Sequence, residues 1–363
     1  MSVERTISTS HGSSFKILDT GAPDSDPIEY LTLVFLHGYG IPSIGITERI
    51  ACLTPAEGVR VIAVNRRGYP GSSPYNAAEL DNLEHGTLEE RAAIYRDEGH
   101  HYAHLLDALV QDGTIGAGGA ALVAWSIANA HLSATIAAVH ELPDAVRERL
   151  RKHVKAFIYF GVCCLPSVPV LLLNVDTYHL QHADLPTEAV PKPMGLNNPS
   201  DGFIPTDPEA SGHWFASYFV HDLASRDVSK LEKQHPDPTR PATDAAEGFY
   251  EKYADIVGAG RSDELLFKPD MLPHLRAARD KAMFDGEVRR AWGSPKVAYV
   301  WGGSSVWTSV WMAWALEVEY KAREQQKGTP ELVFEVIKKG NHYVSCSRML
   351  EQSSIYSPLS GCV

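Results

Sequence analysis

Ala120-Ala121-Leu122-Val123-Ala124-Trp125-Ser126-Ile127-Ala128-Asn129-Ala130 decides the fold: an apolar run meets a lone serine, and small residues then open a helical pattern. The stretch reads as strand, sharp turn and helix, with Ser126 at the tip. In a nucleophile elbow the serine occupies a strained turn, so the residues two positions to either side must be small enough for strand and helix to pass closely. Ala124 and Ala128 meet that need, although glycines are more usual there. Small residues around a serine are also ordinary helix-packing sequence, so the flanking strands decide between the two.

Upstream, Leu31-Thr32-Leu33-Val34-Phe35-Leu36 suits a strand buried on both faces, and His37-Gly38-Tyr39-Gly40 follows, where glycines let backbone N–H groups face a ligand. A helical stretch over 43–53 leads to a second buried strand, Val59 to Val64, and to the turn Asn65-Arg66-Arg67-Gly68-Tyr69-Pro70-Gly71-Ser72-Ser73. Residues Val3 to Thr20 predict a strand pair at the sheet edge. From Thr87 to Gln111, Leu88, Ala92, Tyr95, Tyr102, Leu105, Leu106 and Leu109 recur at near-helical spacing, which predicts a crossover helix into the elbow strand. That helix carries His100, His101 and His104. The first and last share a face, but with no third ligand nearby in sequence the expectation is a solvated or capped helix face.

Downstream, Ala130 to Val139 continues as a small-residue helix, and Val154 to Phe160 is the next buried strand. Alternation stops from Leu165 to about Ala282, where prolines, acidic turns and the cluster His213-Trp214-Phe215-Ala216-Ser217-Tyr218-Phe219 replace it. The expected organisation is therefore a core of residues 1–164 and 283–363 with a mainly helical cap inserted at 165–282. Strand and helix resume with Pro295 to Trp301, Gly302-Gly303-Ser304-Ser305, and a helix bearing Trp307, Trp311 and Trp314 on one face. That stripe reads as core packing, with Trp307 near the mouth of a site. The last strand, Leu332 to Ile337, ends in Lys338-Lys339-Gly340-Asn341-His342-Tyr343, and a closing helix is expected over 347–352.

Composition narrows the class. The 363 residues are 44% hydrophobic and 21% charged, as in an ordinary globular protein, and the formal charge of −12 disfavours nucleic acid and anionic membrane surfaces as partners. Met1 to Ser14 lacks the charged-then-apolar pattern of a secretory signal, and no stretch is apolar for long enough to span a bilayer, so a cytosolic location is expected. Five cysteines, with Cys163 and Cys164 adjacent, read as reduced thiols rather than a disulfide framework. They lack a basic partner that would mark a reactive thiol.

Strands alternating with helices, each closing on a polar or glycine-rich turn, describe a mostly parallel α/β sheet with its site at the strands' carboxyl ends. Four signals gather there: His37-Gly38-Tyr39-Gly40, the Arg67 to Ser73 turn, the Ser126 elbow and Gly340-Asn341-His342. In this order and spacing the chain resembles the α/β-hydrolase superfamily over nearly all its length apart from the cap interior. It looks most like a branch common in fungal genomes, by Trp125-Ser126, the segment Trp214 to Phe219, and Ser305-Val306-Trp307.

The resemblance implies a serine hydrolase. A hydroxyl is a poor nucleophile unless a base takes its proton, and a histidine titrating near neutrality is suited to that, which gives Ser126 and His342 their roles. The superfamily draws its oxyanion-hole N–H donors from the residue after the nucleophile and from the loop after the third strand, by position Ile127 and Tyr39. The third triad member is where the pattern departs. Gly302-Gly303-Ser304-Ser305 and Phe160-Gly161-Val162-Cys163-Cys164, the two usual places, hold no carboxylate. Asp176 farther along is one candidate, and a serine–histidine dyad oriented by a backbone carbonyl, water or Ser305 is the other. Trp125, Trp214, Tyr218 and Trp307 are expected to line a pocket for an apolar or aromatic acyl group.

The leading expectation is cleavage of a small-molecule ester, lactone or thioester through an acyl-enzyme on Ser126, with no cofactor and no metal. A lyase or cyclase using the same pocket, and a silent ligand-binding member of the fold, are the alternatives. Epoxide hydrolase and dehalogenase chemistry is disfavoured because those relatives need Asp where this chain has Ser126. The sequence does not indicate an oligomeric state.

Overall fold

The computed structural model describes residues 2–23, 30–39, 58–161, 208–242, 261–266, 268–326 and 328–343. In chain order the elements are β1 (Val3–Ser8), β2 (Ser14–Asp19), β3 (Leu31–Leu36), β4 (Val59–Val64), α1 (Ala77–His85), α2 (Leu88–Gln111), β5 (Ala120–Trp125), α3 (Ala128–Ala137), α4 (Asp144–His153) and β6 (Val154–Phe160). There follow α5 (Pro208–Ala216), α6 (Arg261–Leu266), α7 (Leu272–Phe284), α8 (Gly286–Ala291), β7 (Lys296–Gly302), α9 (Trp307–Arg323) and β8 (Val333–Ile337). The expected helix over 43–53, the closing helix over 347–352, Asp176, Cys163 and Cys164 lie outside the described residues.

All eight strands form one sheet in the order β1-β2-β4-β3-β5-β6-β7-β8. β1 pairs with β2 and β2 with β4 antiparallel, and every pairing from β4 through to β8 is parallel. The fold is thus the α/β sheet expected, with the opening strand pair at one edge. Strands β3 to β7 are apolar on both sides because helices cover both faces. Leu33, Phe35, Val61, Val123, Ile158 and Val300 pack on one face, and Val34, Leu36, Ile62, Leu122 and Phe157 on the other.

Thr87 opens α2 with a capping box: its hydroxyl accepts from the Glu90 amide while the Glu90 carboxylate accepts from the Thr87 amide. Gly99 lies where α2 crosses α3, and a Cβ there would stand 2.4 Å from the Ala134 carbonyl oxygen, so only glycine permits the crossing. The helices α1 and α4 were not expected from the sequence. Each is mostly polar and presents few residues to the core, Leu83 in α1 and Val146 and Leu150 in α4, too narrow a stripe to stand out in the pattern.

The histidines of α2 depart from expectation as well. His101 and His104 are buried, not part of a solvated face, because the β1–β2 turn lies over them. The tryptophans of α9 are buried in the main core cluster. Among the described residues no helix is long and apolar enough to cross a membrane.

Candidate active site

β5 runs between β3 and β6, and its last residue, Trp125, leads into Ser126 with φ +59°. This left-handed conformation is uncommon outside glycine and costs about 1–2 kcal/mol, so surrounding contacts must hold it. Ala124 and Ala128, both fully buried, leave the room that strand and helix need to meet at this angle. The clamp is Asn129. Its Nδ2 donates to the carbonyls of Ser126 (2.7 Å) and Phe160 (3.1 Å), and its Oδ1 accepts from the Phe160 amide (3.2 Å). The Ser126 amide itself donates to the Phe160 carbonyl at 3.0 Å, so the elbow is tied to the neighbouring strand from both sides. Local sequence gives Asn129 no role. Its signal was a polar side chain in a helix otherwise opened by small apolar residues.

Ile127 follows the serine in helical conformation at the start of α3, and among the described residues its amide has no acceptor, as expected of a first-turn N–H. The loop after β3 passes directly against the serine: a Cβ on Gly38 would lie 3.1 Å from the Ser126 Cβ. Tyr39 comes next, and its hydroxyl donates to Glu264 of α6 at 2.6 Å.

Arg66 holds this loop from beneath. Its Nε donates to the His37 carbonyl (2.9 Å) and its Nη2 to the Gly38 carbonyl (3.2 Å). Its backbone amide donates to His37 Nε2 (3.1 Å), which leaves the proton on Nδ1, and that group donates to the Gly38 carbonyl at 2.7 Å. The Gly38 carbonyl and the Tyr39 amide belong to one trans peptide unit and point opposite ways. Two donors on that carbonyl therefore fix the direction of the Tyr39 N–H.

The guanidinium is fully buried and pairs in bidentate fashion with Asp263 of α6 at 2.7 and 2.6 Å, while the Tyr69 hydroxyl donates to the same carboxylate at 2.9 Å. Burial alone would raise the Asp263 pKa, but the Arg66 charge and hydrogen bonds outweigh it and hold the carboxyl well below its usual range. Burial, with the Arg66 charge beside it, pushes His37 well below its ordinary value and keeps it neutral. Beside this pair, Arg67 donates to the buried Glu98 of α2 at 2.6 Å. Neither Arg66 nor Asp263 was picked out from the sequence, because a charge reads as surface until its partner, 197 positions away, is known.

His342 stands at the end of the loop after β8. The loop presses on Gly302, where a Cβ would meet the Gly340 and Asn341 carbonyls at 2.5 and 2.7 Å, and Asn341 Nδ2 donates to the Ala216 carbonyl at 2.5 Å. The Trp125 indole N–H donates to the His342 carbonyl at 3.1 Å, so the residue before Ser126 holds the backbone of the histidine. The imidazole is buried, with ring centroids of Phe215, Trp125 and Tyr343 at 5.2, 5.6 and 5.6 Å. Burial pushes it down to about 3. Among the described residues its Nδ1 has no hydrogen-bond partner, and the buried Ser305 hydroxyl, an expected orienting group, is not bonded to it.

The other pocket candidates are placed as follows. Trp214 turns its indole N–H to the Lys233 carbonyl (3.0 Å) and packs on Phe215 and Phe219. Tyr218 carries the Arg240 guanidinium 3.5 Å above its ring. Trp307 is buried at the start of α9 with the Lys233 ammonium 5.6 Å from its ring. Phe215, one residue beyond Trp214, is the cluster member that meets His342.

Among solved structures, the chain is similar to a variant of potato epoxide hydrolase, with a TM-score of 0.53 at 14% identity over 99% of this chain and 100% of that one. It is also similar to epoxide hydrolase A of Mycobacterium thermoresistibile (0.49, 14%, 100% and 98%) and to a candidate aryl esterase of Burkholderia cenocepacia (0.44, 14%, 98% and 96%). No protein-family model and no curated protein sequence matches the chain. At such identities the likeness is one of fold, and the fold is that of the α/β-hydrolases.

Proposed function

We propose that the chain is a serine hydrolase that cleaves an ester, lactone or thioester of an apolar or aromatic small molecule. The observation that carries this reading is the left-handed Ser126 at the carboxyl end of β5, joined through the Trp125 indole to the backbone of His342. In the first step His342 accepts the Ser126 proton as Oγ bonds to the carbonyl carbon, and the oxyanion takes hydrogen bonds from the Tyr39 and Ile127 amides. Collapse of that intermediate expels the alcohol or thiol, which takes the proton back from His342. Water then repeats the sequence on the acyl-enzyme and releases the acid. Ester chemistry is favoured over epoxide opening because a hydroxyl, not a carboxylate, occupies the elbow.

The rings of Trp125, Phe215 and Tyr343 around His342 support an apolar acyl group. Residues 165–282 serve in this reading as the cap, and the sequence resemblance to a fungal branch of the superfamily stands with it. The setting is cytosolic, with a small molecule as the partner. Ser126→Ala is expected to abolish both turnover of p-nitrophenyl esters and labelling by a fluorophosphonate. Retention of either overturns the mechanism.

A lyase or cyclase reading draws on one observation, the His342 Nδ1 without an acceptor among the described residues. A neutral imidazole of low basicity is better matched to shuttling a proton within a bound molecule than to driving hydrolysis. That reading expects no acyl-enzyme to accumulate when the natural substrate is trapped with acid.

A further inference from the structure

The turn between β1 and β2 brings His11 onto α2 beside Asp97 and His101. His11 Nε2 lies 2.8 Å from Asp97 Oδ1, and His101 Nε2 lies 3.3 Å from Asp97 Oδ2. All three ligand atoms fall within 4.8 Å of one another. We propose that His11, Asp97 and His101 form a binding site for a divalent transition-metal ion of the zinc class, which pins the β1–β2 turn to α2.

The distances fit such an ion. With metal–ligand bonds of about 2.0 Å, neighbouring ligands of a tetrahedral zinc sphere stand about 3.3 Å apart, so little movement closes the set around a metal. The orientation of His101 fits as well. Its other ring nitrogen, Nδ1, is 3.0 Å from the Ser13 hydroxyl, the kind of outer partner that fixes a ligating imidazole with Nε2 facing the metal. Ser13 is buried and is itself 3.0 Å from the Thr9 hydroxyl, so the orienting group is held in turn.

Further contacts seat the turn. His104 is buried, stacks on His11 with centroids 5.1 Å apart, and lies 2.9 Å from the Ser10 hydroxyl. Two imidazoles and one carboxylate suit zinc, nickel or copper better than calcium or magnesium, which prefer oxygen ligands. The side chains of His11 and Asp97 are 31% and 45% exposed, which gives an ion a path from solvent and leaves a position for water. The sequence pointed at the histidines of α2, and the ligands that complete the set are Asp97, one helical turn before His101, and His11, from a turn 86 residues before Asp97.

The test uses full-length protein freed of metal with a chelator, titrated with zinc(II) by calorimetry and with cobalt(II) by visible absorption. One tight equivalent is expected, with the cobalt(II) bands of a low-coordinate nitrogen and oxygen site and a rise in the thermal midpoint. Asp97→Asn keeps a hydrogen-bonding group but loses the anionic ligand, and His11→Gln keeps a donor to Asp97 in an exposed turn. Each is expected to weaken zinc binding at least ~10-fold, and Ser13→Ala by about 10-fold or more through loss of the orienting bond. Wild-type protein that takes up no zinc, or isotherms unchanged in Asp97→Asn and His11→Gln while circular dichroism reports the native fold, overturns the site.

Discussion

Around Ser126 and the loop before Tyr39 the holding contacts are polar: Asn129 spans the elbow, Arg66 grips two carbonyls, and Asp263 grips Arg66. Around His342 they are aromatic rings and one backbone hydrogen bond, with Nδ1 left without a partner among the described residues. Directional bonds fix the angle at which a nucleophile and an amide N–H are presented, and those angles decide how well a tetrahedral intermediate is held. Ring packing fixes a position but sets the base's proton affinity by exclusion of water, which lowers it. The Ser126 side is thus held in direction, while the His342 side is held for neutrality.

The comparison breaks most sharply at Arg66. Arg66→Met leaves the Asp263 charge buried without its cation, a change that costs about 3–5 kcal/mol, to be read from urea unfolding. It also frees the Gly38 carbonyl from one of its two donors, so the Tyr39 N–H loses its fixed direction. A fall in kcat of about 100-fold is expected, the low end for loss of one oxyanion-hole donor. Adding Asp263→Leu to Arg66→Met is expected to restore stability without restoring kcat. Recovery of both would reduce Arg66 to a structural residue.

Asn129→Ala comes next. The Phe160 amide loses its side-chain acceptor and the Ser126 carbonyl one of two donors, which together cost about 2–3 kcal/mol. With its clamp gone, the left-handed Ser126 relaxes, and fluorophosphonate labelling is expected to slow along with the loss of stability. Unaltered labelling in a destabilised variant would mean that Asn129 serves the strand junction alone.

These two residues also show what the sequence conveyed and what it withheld. β3, β4, β5 and β6 were legible because a strand covered on both faces must be a continuous apolar run, and the polar or glycine-rich turns after β3, β4, β5 and β8 marked the site edge. Ser126 and His342 stood at two of those turns. Arg66 stood at another, yet nothing local distinguishes a buried arginine from a solvated one; its meaning lies in Asp263, which sits in a segment read as cap. The metal ligands were half legible for the same reason, since His101 lies on a periodic helix and His11 reaches it only through the hairpin. Asn129 was hidden differently. Helical spacing accounts for its neighbours, while its role depends on Phe160 of β6, beyond the next helix, α4.

The smallest effects bear on His342. His342 has a folded pKa near 3 against about 6.5 unfolded, so between those values the unfolded chain binds the extra proton. Stability therefore falls as the pH drops from about 6.5 toward 3, and the neutral His37 adds to the fall in the same direction. The acid limb of kcat/KM for ester cleavage is expected well below pH 6, because the imidazole stays unprotonated there. A limb near 6.5 or above would reveal a carboxylate beside His342 that offsets its burial. Phe215→Leu then sharpens the point at a cost of about 1 kcal/mol in stability. Leucine covers less of the imidazole than a ring does, so water reaches it and the protonated form becomes less unfavourable. The acid limb is expected to move upward by about half a unit to one unit, with little change in kcat on the plateau. If the limb does not move, the low basicity of His342 does not come from Phe215, and the aromatic wall acts on the acyl group instead of on the base.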